Sequence, residues 1–404
     1  MTDVFEHSLS RLLEYCRTEE WAGYDPYDAL NSPLAHAPLL NNRFSRTALT
    51  QLVKRSPVNL RPLLGIRKGL NPKGLALAAR ALILIADRAG ESLPGDLSAR
   101  GNPQRDRVSS DLQFLMNRLS TLRHADSEDA CWGYNFDWQS RAFFAPRGTP
   151  NAVCTVFAAH ACLDWYERTG SEAVLNMATG ACSFLLNRLN RSSDAAGECF
   201  SYTPLDHSKV HNVNLLVAEL LARAAVVTGN DEYRDVARRS VEYTLSKQRS
   251  DGSWPYGEAA SQSWIDSFHT GFIVVSLRNL IEYLRRDEWS EAFNEAYRFY
   301  ESRFFLADGT PGYYHDRSNP HDIHSAAQGV VTFVEMADLM PKARERASRV
   351  LRWAIENLQD PRGFFYFQNH RLYTIKISYM RWAQTWMLYA LSLFLSRSRI
   401  PEDV

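Results

Sequence analysis

The chain has 404 residues, 45% of them hydrophobic and 23% charged, the balance of a globular protein with a sizeable core. Lysine plus arginine equals aspartate plus glutamate at 46 each, so the net charge of zero supplies no electrostatic attraction for nucleic acid or an anionic membrane surface. There is no run of roughly 18 apolar residues to span a membrane. The start, Met1 to Glu6, lacks the basic and apolar segments of a secretory leader, so a cytoplasmic location is expected.

The first 70 residues are the least regular part. Candidate helices near 5–17 and 44–56 flank a loop that contains Gly23-Tyr24-Asp25-Pro26-Tyr27-Asp28. From there, charged amphipathic segments alternate with largely apolar ones. The charged segments lie near 105–123, 172–190, 231–248, 288–305 and 342–358. In Asp231–Gln248, Tyr233, Val236, Val241 and Leu245 share one side, while Arg234, Arg238, Arg239 and Glu242 face water, the pattern of a surface helix. The apolar segments lie near 73–88, 150–168, 211–228, 266–286, 322–340 and 379–397. Ala218–Val227 and Gly271–Leu280 are apolar or small nearly all round, as in a helix buried on every side.

Each apolar segment opens on a polar head: Asn71-Pro72-Lys73, Thr149-Pro150-Asn151, His211-Asn212, Asp266-Ser267-Phe268-His269, His321-Asp322-Ile323-His324 and Arg381-Trp382. From Pro150 to Arg381 the heads recur roughly every 55–60 residues, the period of a helical-hairpin repeat. The expected fold is all-α, an (α/α)6 toroid or six-hairpin barrel, with one domain over 1–404 and a less regular portion at 1–70. In such a ring the inner helices run the same way, so the heads converge at one mouth. The loops before them repeat an aromatic chemistry: Trp132-Gly133-Tyr134-Asn135-Phe136-Asp137-Trp138, Phe200-Ser201-Tyr202, Trp254-Pro255-Tyr256-Gly257-Glu258, Gly312-Tyr313-Tyr314-His315 and Gly363-Phe364-Phe365-Tyr366. Cys154, Cys162 and Cys182 fall inside apolar segments and read as small core residues, not as a disulfide framework.

Gln248-Arg249-Ser250-Asp251-Gly252-Ser253-Trp254 resembles the Q-x-x-D-G-S-W element of α/α toroids, familiar from triterpene cyclases, where it ties a helix end to the next repeat. A structural role is expected here too. Trp264–Phe272, with Trp21–Ser32 and Trp132–Arg141, resembles a bacterial polysaccharide-biosynthesis protein family among the six-hairpin, glycosidase-like toroids. The resemblance runs over nearly the whole chain and implies a carbohydrate context without naming a reaction. The chain lacks the D-x-D-D acid motif of class II terpene cyclases and the zinc-ligand sets of lanthionine cyclases and prenyltransferase β subunits.

Asp266 and His269, three apart at a helix start, can share one face as an acid/base pair, or Asp266 can serve only as an N-cap. His211 and Asn212 open another inner helix. They can bind sugar hydroxyls or a uronate carboxyl, and in lyases of this architecture Asn and His beside a Tyr neutralise that carboxyl and take the α-proton; the alternative is simple capping by Asn212 with His211 exposed. His315, Asp316, His321, Asp322 and His324 form a local cluster, read as substrate contacts or caps; no metal and no cofactor is expected. His324 joins Asp266, His269 and His211 as the catalytic candidates. Asp137 and Glu258 are carboxylates in the aromatic loops, and a facing carboxylate pair is what glycoside hydrolysis needs. Tyr134, Trp138, Trp254, Tyr256 and Trp382 offer flat faces for sugar rings, and His321, Asp322 and Arg381 offer polar contacts. The expected partner is an oligosaccharide or polysaccharide, including uronic-acid types. The reaction is then hydrolysis, or uronate lyase or epimerase chemistry. A non-catalytic glycan-binding or assembly factor and an isoprenoid cyclase are the alternatives.

Overall fold

The computed structural model of the protein describes residues 2–38, 41–90, 103–124, 129–317 and 319–397. Its helices are α1 (Thr2–Thr18), α2 (Arg43–Arg55), α3 (Pro72–Arg88), α4 (Pro103–Thr121), α5 (Ala152–Thr169), α6 (Glu172–Arg188), α7 (His211–Thr228), α8 (Asp231–Leu245), α9 (Ser267–Leu284), α10 (Ser290–Phe304), α11 (Ile323–Glu335), α12 (Ala343–Leu358) and α13 (Thr385–Ser396). A π-helical turn over Met380–Gln384 leads into α13. Helices α3, α5, α7, α9, α11 and α13 pack each on the next, and α13 packs back on α3, which closes an inner ring. Helices α4, α6, α8, α10 and α12 lie outside their hairpin partners, and α1 lies against α13 and α12 as the sixth outer helix. This is the (α/α)6 toroid that the repeat predicts.

Of the two helices expected in the less regular first 70 residues, α1 takes the outer place. Helix α2 packs instead on the turn at Asp28–Asn31 and on the short strand Trp138–Gln139, beside the mouth of the ring. Strands are brief. The strand Trp138–Gln139 pairs with Phe144–Ala145 and Arg191–Asp194 with Gly197–Phe200. His321–Asp322, Gln368–Asn369 and Thr374–Ile375 form a three-stranded patch, all antiparallel.

One backbone tie recurs at the heads. The first-turn N–H of an inner helix donates to an aromatic residue's carbonyl in the following loop: Ala152 to Tyr202 at 2.9 Å, His211 to Tyr256 at 3.2 Å, Ser267 to Tyr313 at 2.9 Å and Ile323 to Phe367 at 3.1 Å. The last tie, Met380 to Tyr24 at 3.2 Å, runs from the end of the chain to its beginning. Pro72 has no N–H to give, and at that head Asn71 Nδ2 donates to Asn135 Oδ1 at 2.8 Å. The ties satisfy donors that a helix start leaves unpaired. Side-chain caps satisfy others: Asn71, Asn151, Asp266 and Asp322 accept from the first turns of α3, α5, α9 and α11, each worth roughly 1 kcal/mol.

The Q-x-x-D-G-S-W element joins neighbouring repeats, as expected. Gln248 Nε2 donates to the Ala292 carbonyl of α10 at 2.9 Å, and Trp254 Nε1 to the Thr244 carbonyl at 2.7 Å. Gln359 repeats the device at the seam, donating to the Ser8 carbonyl of α1 at 3.3 Å and to the Gly363 carbonyl at 2.9 Å. Cys154, Cys162 and Cys182 are buried. Among the described residues no helix is long and apolar enough to cross a membrane.

Candidate functional site

The inner-helix heads open into a cavity of about 540 Å³. Lys73, Asn212, Asp266, His269, His324 and Arg381 reach it from five of the six heads, so those N-termini share one end of the ring. Aromatic and polar side chains mix around the wall. Tyr134, Trp138, Tyr202, Tyr256 and Trp382 come from the repeating loops and heads, and Gln51, Lys54 and Arg55 from α2.

Asp266 lies in extended backbone just before α9, and its two oxygens do different work. Oδ1 accepts the His269 backbone N–H at 3.0 Å, so it is a cap. Oδ2 meets the His269 ring Nδ1 at 2.7 Å and accepts Trp264 Nε1–H at 2.9 Å. With Nδ1 donating to the carboxylate, His269 carries its acceptor on Nε2, the tautomer that hydrogen bond selects. Asp266 is 2% exposed, whereas the His269 side chain is 23% exposed and faces the cavity. Tyr256 and Phe268 fix the imidazole from two sides, with ring centroids at 4.6 and 4.2 Å. Asp266 therefore caps α9 and holds the His269 ring with the same carboxylate.

His324 stands among the rings of Phe268, Trp382 and Trp386, at 4.6, 4.6 and 4.8 Å. Neither ring nitrogen has a hydrogen-bond partner within the protein, and the Asn212 amide oxygen has none either. Burial first, then the charges of Lys73 and Arg381, hold the His324 pKa well below the ordinary imidazole range, so the ring is neutral. Asp322 sits behind this cluster. It accepts from the His324 N–H at 2.7 Å, Trp382 Nε1 at 3.0 Å and Gln368 Nε2 at 2.6 Å, and burial pushes its carboxyl up to about 6.

Arg381 grips Asp25 with two nitrogens at 2.5 and 2.7 Å, and Arg61 does the same service for Asp28 at 2.7 Å. The guanidinium of Arg381 lies 5.1 Å from the centre of the Tyr134 ring, whose hydroxyl is 2.7 Å from that of Tyr202. Burial pushes the phenols of Tyr134, Tyr202 and Tyr256 up, so they stay protonated.

Other candidates lie away from the cavity wall. Trp254 is buried in the inter-repeat tie, and Asp137 accepts the Arg147 N–H at 2.6 Å. Glu258 accepts from the Tyr243 hydroxyl at 2.5 Å and borders a shallow groove with His207 and Lys209. His211 is buried at the start of α7, and desolvation pushes it down to about 4. His321 Nδ1 meets the Pro311 carbonyl at 2.8 Å and its ring abuts Trp353, while His315 turns to the Ile265 carbonyl at 3.4 Å. Among the described residues no group of three or more His, Cys, Asp or Glu side chains is placed to hold a metal ion. The structure also adds a residue to which the sequence reading gave no role. Lys73 reaches into the cavity from the first turn of α3, and its only signal was a lysine heading an otherwise apolar helix. Asp266 is the sole carboxylate among the described lining residues, against Lys54, Arg55, Lys73, Arg141 and Arg381.

Neither family models nor curated protein sequences match this chain. Solved structures do. A GH76 alpha-mannanase from Bacteroides thetaiotaomicron is 13% identical with a TM-score of 0.60, over 81% of this chain and 86% of that one. The cellobiose 2-epimerase of Bacillus thermoamylovorans is 10% identical with a TM-score of 0.59, over 81% and 87%. An unsaturated glucuronyl hydrolase from Streptococcus agalactiae is 13% identical with a TM-score of 0.57, over 98% and 91%. All are glycosidase-like (α/α)6 toroids, and identities this low establish the fold alone.

Proposed function

We propose that the protein is a carbohydrate-active enzyme that removes a proton from the carbon next to the carboxyl group of a uronate, in an oligosaccharide or polysaccharide intermediate. The observation that carries this reading is the Asp266–His269 pair, 2.7 Å apart, with the remaining imidazole nitrogen on the cavity side. His269 Nε2 takes the proton, and Asp266 orients the ring and stabilises the imidazolium that forms. In an elimination the released electron pair makes the new carbon–carbon double bond as the glycosidic oxygen leaves, and a protonated phenol such as Tyr256 donates to that oxygen. In an epimerisation a proton returns on the opposite face. Glycoside hydrolysis is less well supported, because it needs two carboxyl groups facing the cleft. Among the described residues Asp266 is the single lining carboxylate, and His269 and Trp264 already engage it. The mixed polar wall suits sugar hydroxyls better than an isoprenoid, and the toroid neighbours and the resemblance to a polysaccharide-biosynthesis family support a carbohydrate partner.

The test uses His269→Ala and Asp266→Asn on a panel of uronate-containing oligosaccharides. Product is followed by the ultraviolet absorbance of an unsaturated uronate and by NMR of the epimer. Asn caps a helix as well as Asp, so both variants should melt near the wild type while turnover falls roughly a hundredfold or more. Wild type that binds these glycans and turns none over would leave the protein a glycan-binding factor. Stable variants with unchanged turnover would remove the dyad from the mechanism.

A further inference from the structure

Four lysines or arginines are buried among the described residues: Arg61, Lys73, Arg223 and Arg381. Arg61 pairs with Asp28 at 2.7 Å, Arg223 with Asp164 at 2.7 Å and Arg381 with Asp25 at 2.5 Å. Lys73 pairs with no carboxylate, although it is only 4% exposed. Its ammonium lies 4.3 Å from the ring centre of Phe157, 5.2 Å from Phe272 and 5.1 Å from Trp386. These rings come from α5, α9 and α13 and touch one another, with centroids 5.5 to 6.2 Å apart. They line a smaller pocket of about 80 Å³ deeper in the barrel, and Phe272 lines the main cavity as well, as Lys73 does. Aromatic faces attract a cation, but they do not replace the hydrogen bonds and opposite charge that a buried ammonium loses on leaving water.

We propose that Lys73 determines specificity for an acidic sugar: a uronate carboxylate entering the cavity accepts hydrogen bonds from the Lys73 ammonium and becomes its counter-ion. This rests on the reading of the cavity as a uronate site. The geometry favours a ligand carboxylate because every other buried cation obtains the same partner from the protein itself. The single lining carboxylate, Asp266, is committed to His269 and Trp264. Arg381 already has its counter-ion in Asp25, held through two of its nitrogens.

Burial, then Arg381, push Lys73 down to about 7. The other titratable groups around it are Arg381 with Asp25, Cys154 on α5, His324 on α11 and, on the same cavity wall, His269 with its partner Asp266 at α9. Cys154 is pushed up to about 12 by burial and His324 is held low, so neither changes charge near neutral pH. A bound carboxylate favours the charged ammonium, so binding above pH 7 takes up a proton at Lys73.

The experiment compares wild type with Lys73→Met, by calorimetry and thermal melts, on glucuronate- and galacturonate-containing tetrasaccharides and their carboxyl-reduced counterparts. Wild type should prefer the acidic form at least tenfold at pH 7, and lose that preference by up to tenfold per pH unit above it. Lys73→Met should bind both forms alike, with a flat pH profile and affinity for the reduced form within twofold of wild type. The same variant should melt above wild type at pH 7, and the gap should close as pH rises towards that of a free lysine. An acid preference that survives in Lys73→Met, or a wild type that binds both forms equally, overturns the role of Lys73 and leaves the carbohydrate reading in place. A wild type that binds neither form overturns the carbohydrate reading, and the role of Lys73 with it.

Discussion

At the scale of residues, charge neutralisation separates scaffold from site. Arg381 and Asp25 are both buried and bonded through two nitrogens, so each protects the other from an uncompensated charge. Replacing Arg381 by Ala leaves Asp25 buried and alone, at a cost of about 3–5 kcal/mol in denaturant unfolding. Adding Asp25→Asn should return part of that loss, because the orphaned charge goes with it. An Arg381→Ala variant as stable as wild type would mean that the pair is dispensable. Lys73 is the converse case, where removal of an unpaired charge should stabilise the fold. The heads were legible in sequence because each polar residue interrupts an apolar helix, and Asp266, His269, His324, Asn212 and Arg381 do reach one cavity. Glu258, Asp137 and Trp254 were not separable from lining residues by type alone. What decides their place is which partner, Tyr243, Arg147 or Thr244, the fold brings within reach. Nothing in the loop that holds Asp25 and Asp28 sets them against Arg381 and Arg61, which only tertiary contact brings to them.

At the scale of elements, glycines at the loop turns set how closely one repeat approaches the next. Gly252 has φ 84° and Gly363 has φ 103°, both left-handed values, and a Cβ on either would overlap backbone of the neighbouring outer helix, Glu295 and Arg11 respectively. Gly170 ends α5 at φ 63° with open space around it. Gly170→Ala should therefore cost only the left-handed strain, about 1–2 kcal/mol. Gly363→Ala should cost clearly more, because α1 has to move away from the seam. Equal losses in thermal melts would show that the contact between the Gly363 loop and α1 does not hold the ring closed. The alternation of charged and apolar helices was legible from periodicity. The choice between α1 and α2 as the sixth outer helix was not, because both are short amphipathic segments. The deciding contacts, Gln359 with Ser8 and Met380 with Tyr24, join residues from opposite ends of the chain.

At the scale of the whole molecule, a chain of zero net charge places a cationic cavity at one end of its ring. Balanced composition thus hides a local asymmetry. Acids are spent on pairing arginines in the scaffold, as Asp25, Asp28 and Asp164 are, while the lining lysines and arginines outnumber the single lining carboxylate. The fold supplies this arrangement by pointing the starts of its inner helices the same way, which adds their partial positive charge to the cavity. Hydrolysis and proton abstraction make opposite demands on such a site, and isotope transfer separates them. A uronate oligosaccharide carrying deuterium on the carbon beside the carboxyl group is incubated with the protein, and release of the label to water is followed by mass spectrometry. Wild type should pass the label to water, and His269→Ala should slow that loss at least roughly a hundredfold. Products that keep the label, or a His269→Ala variant that releases it at the wild-type rate, would contradict proton abstraction by the Asp266–His269 pair.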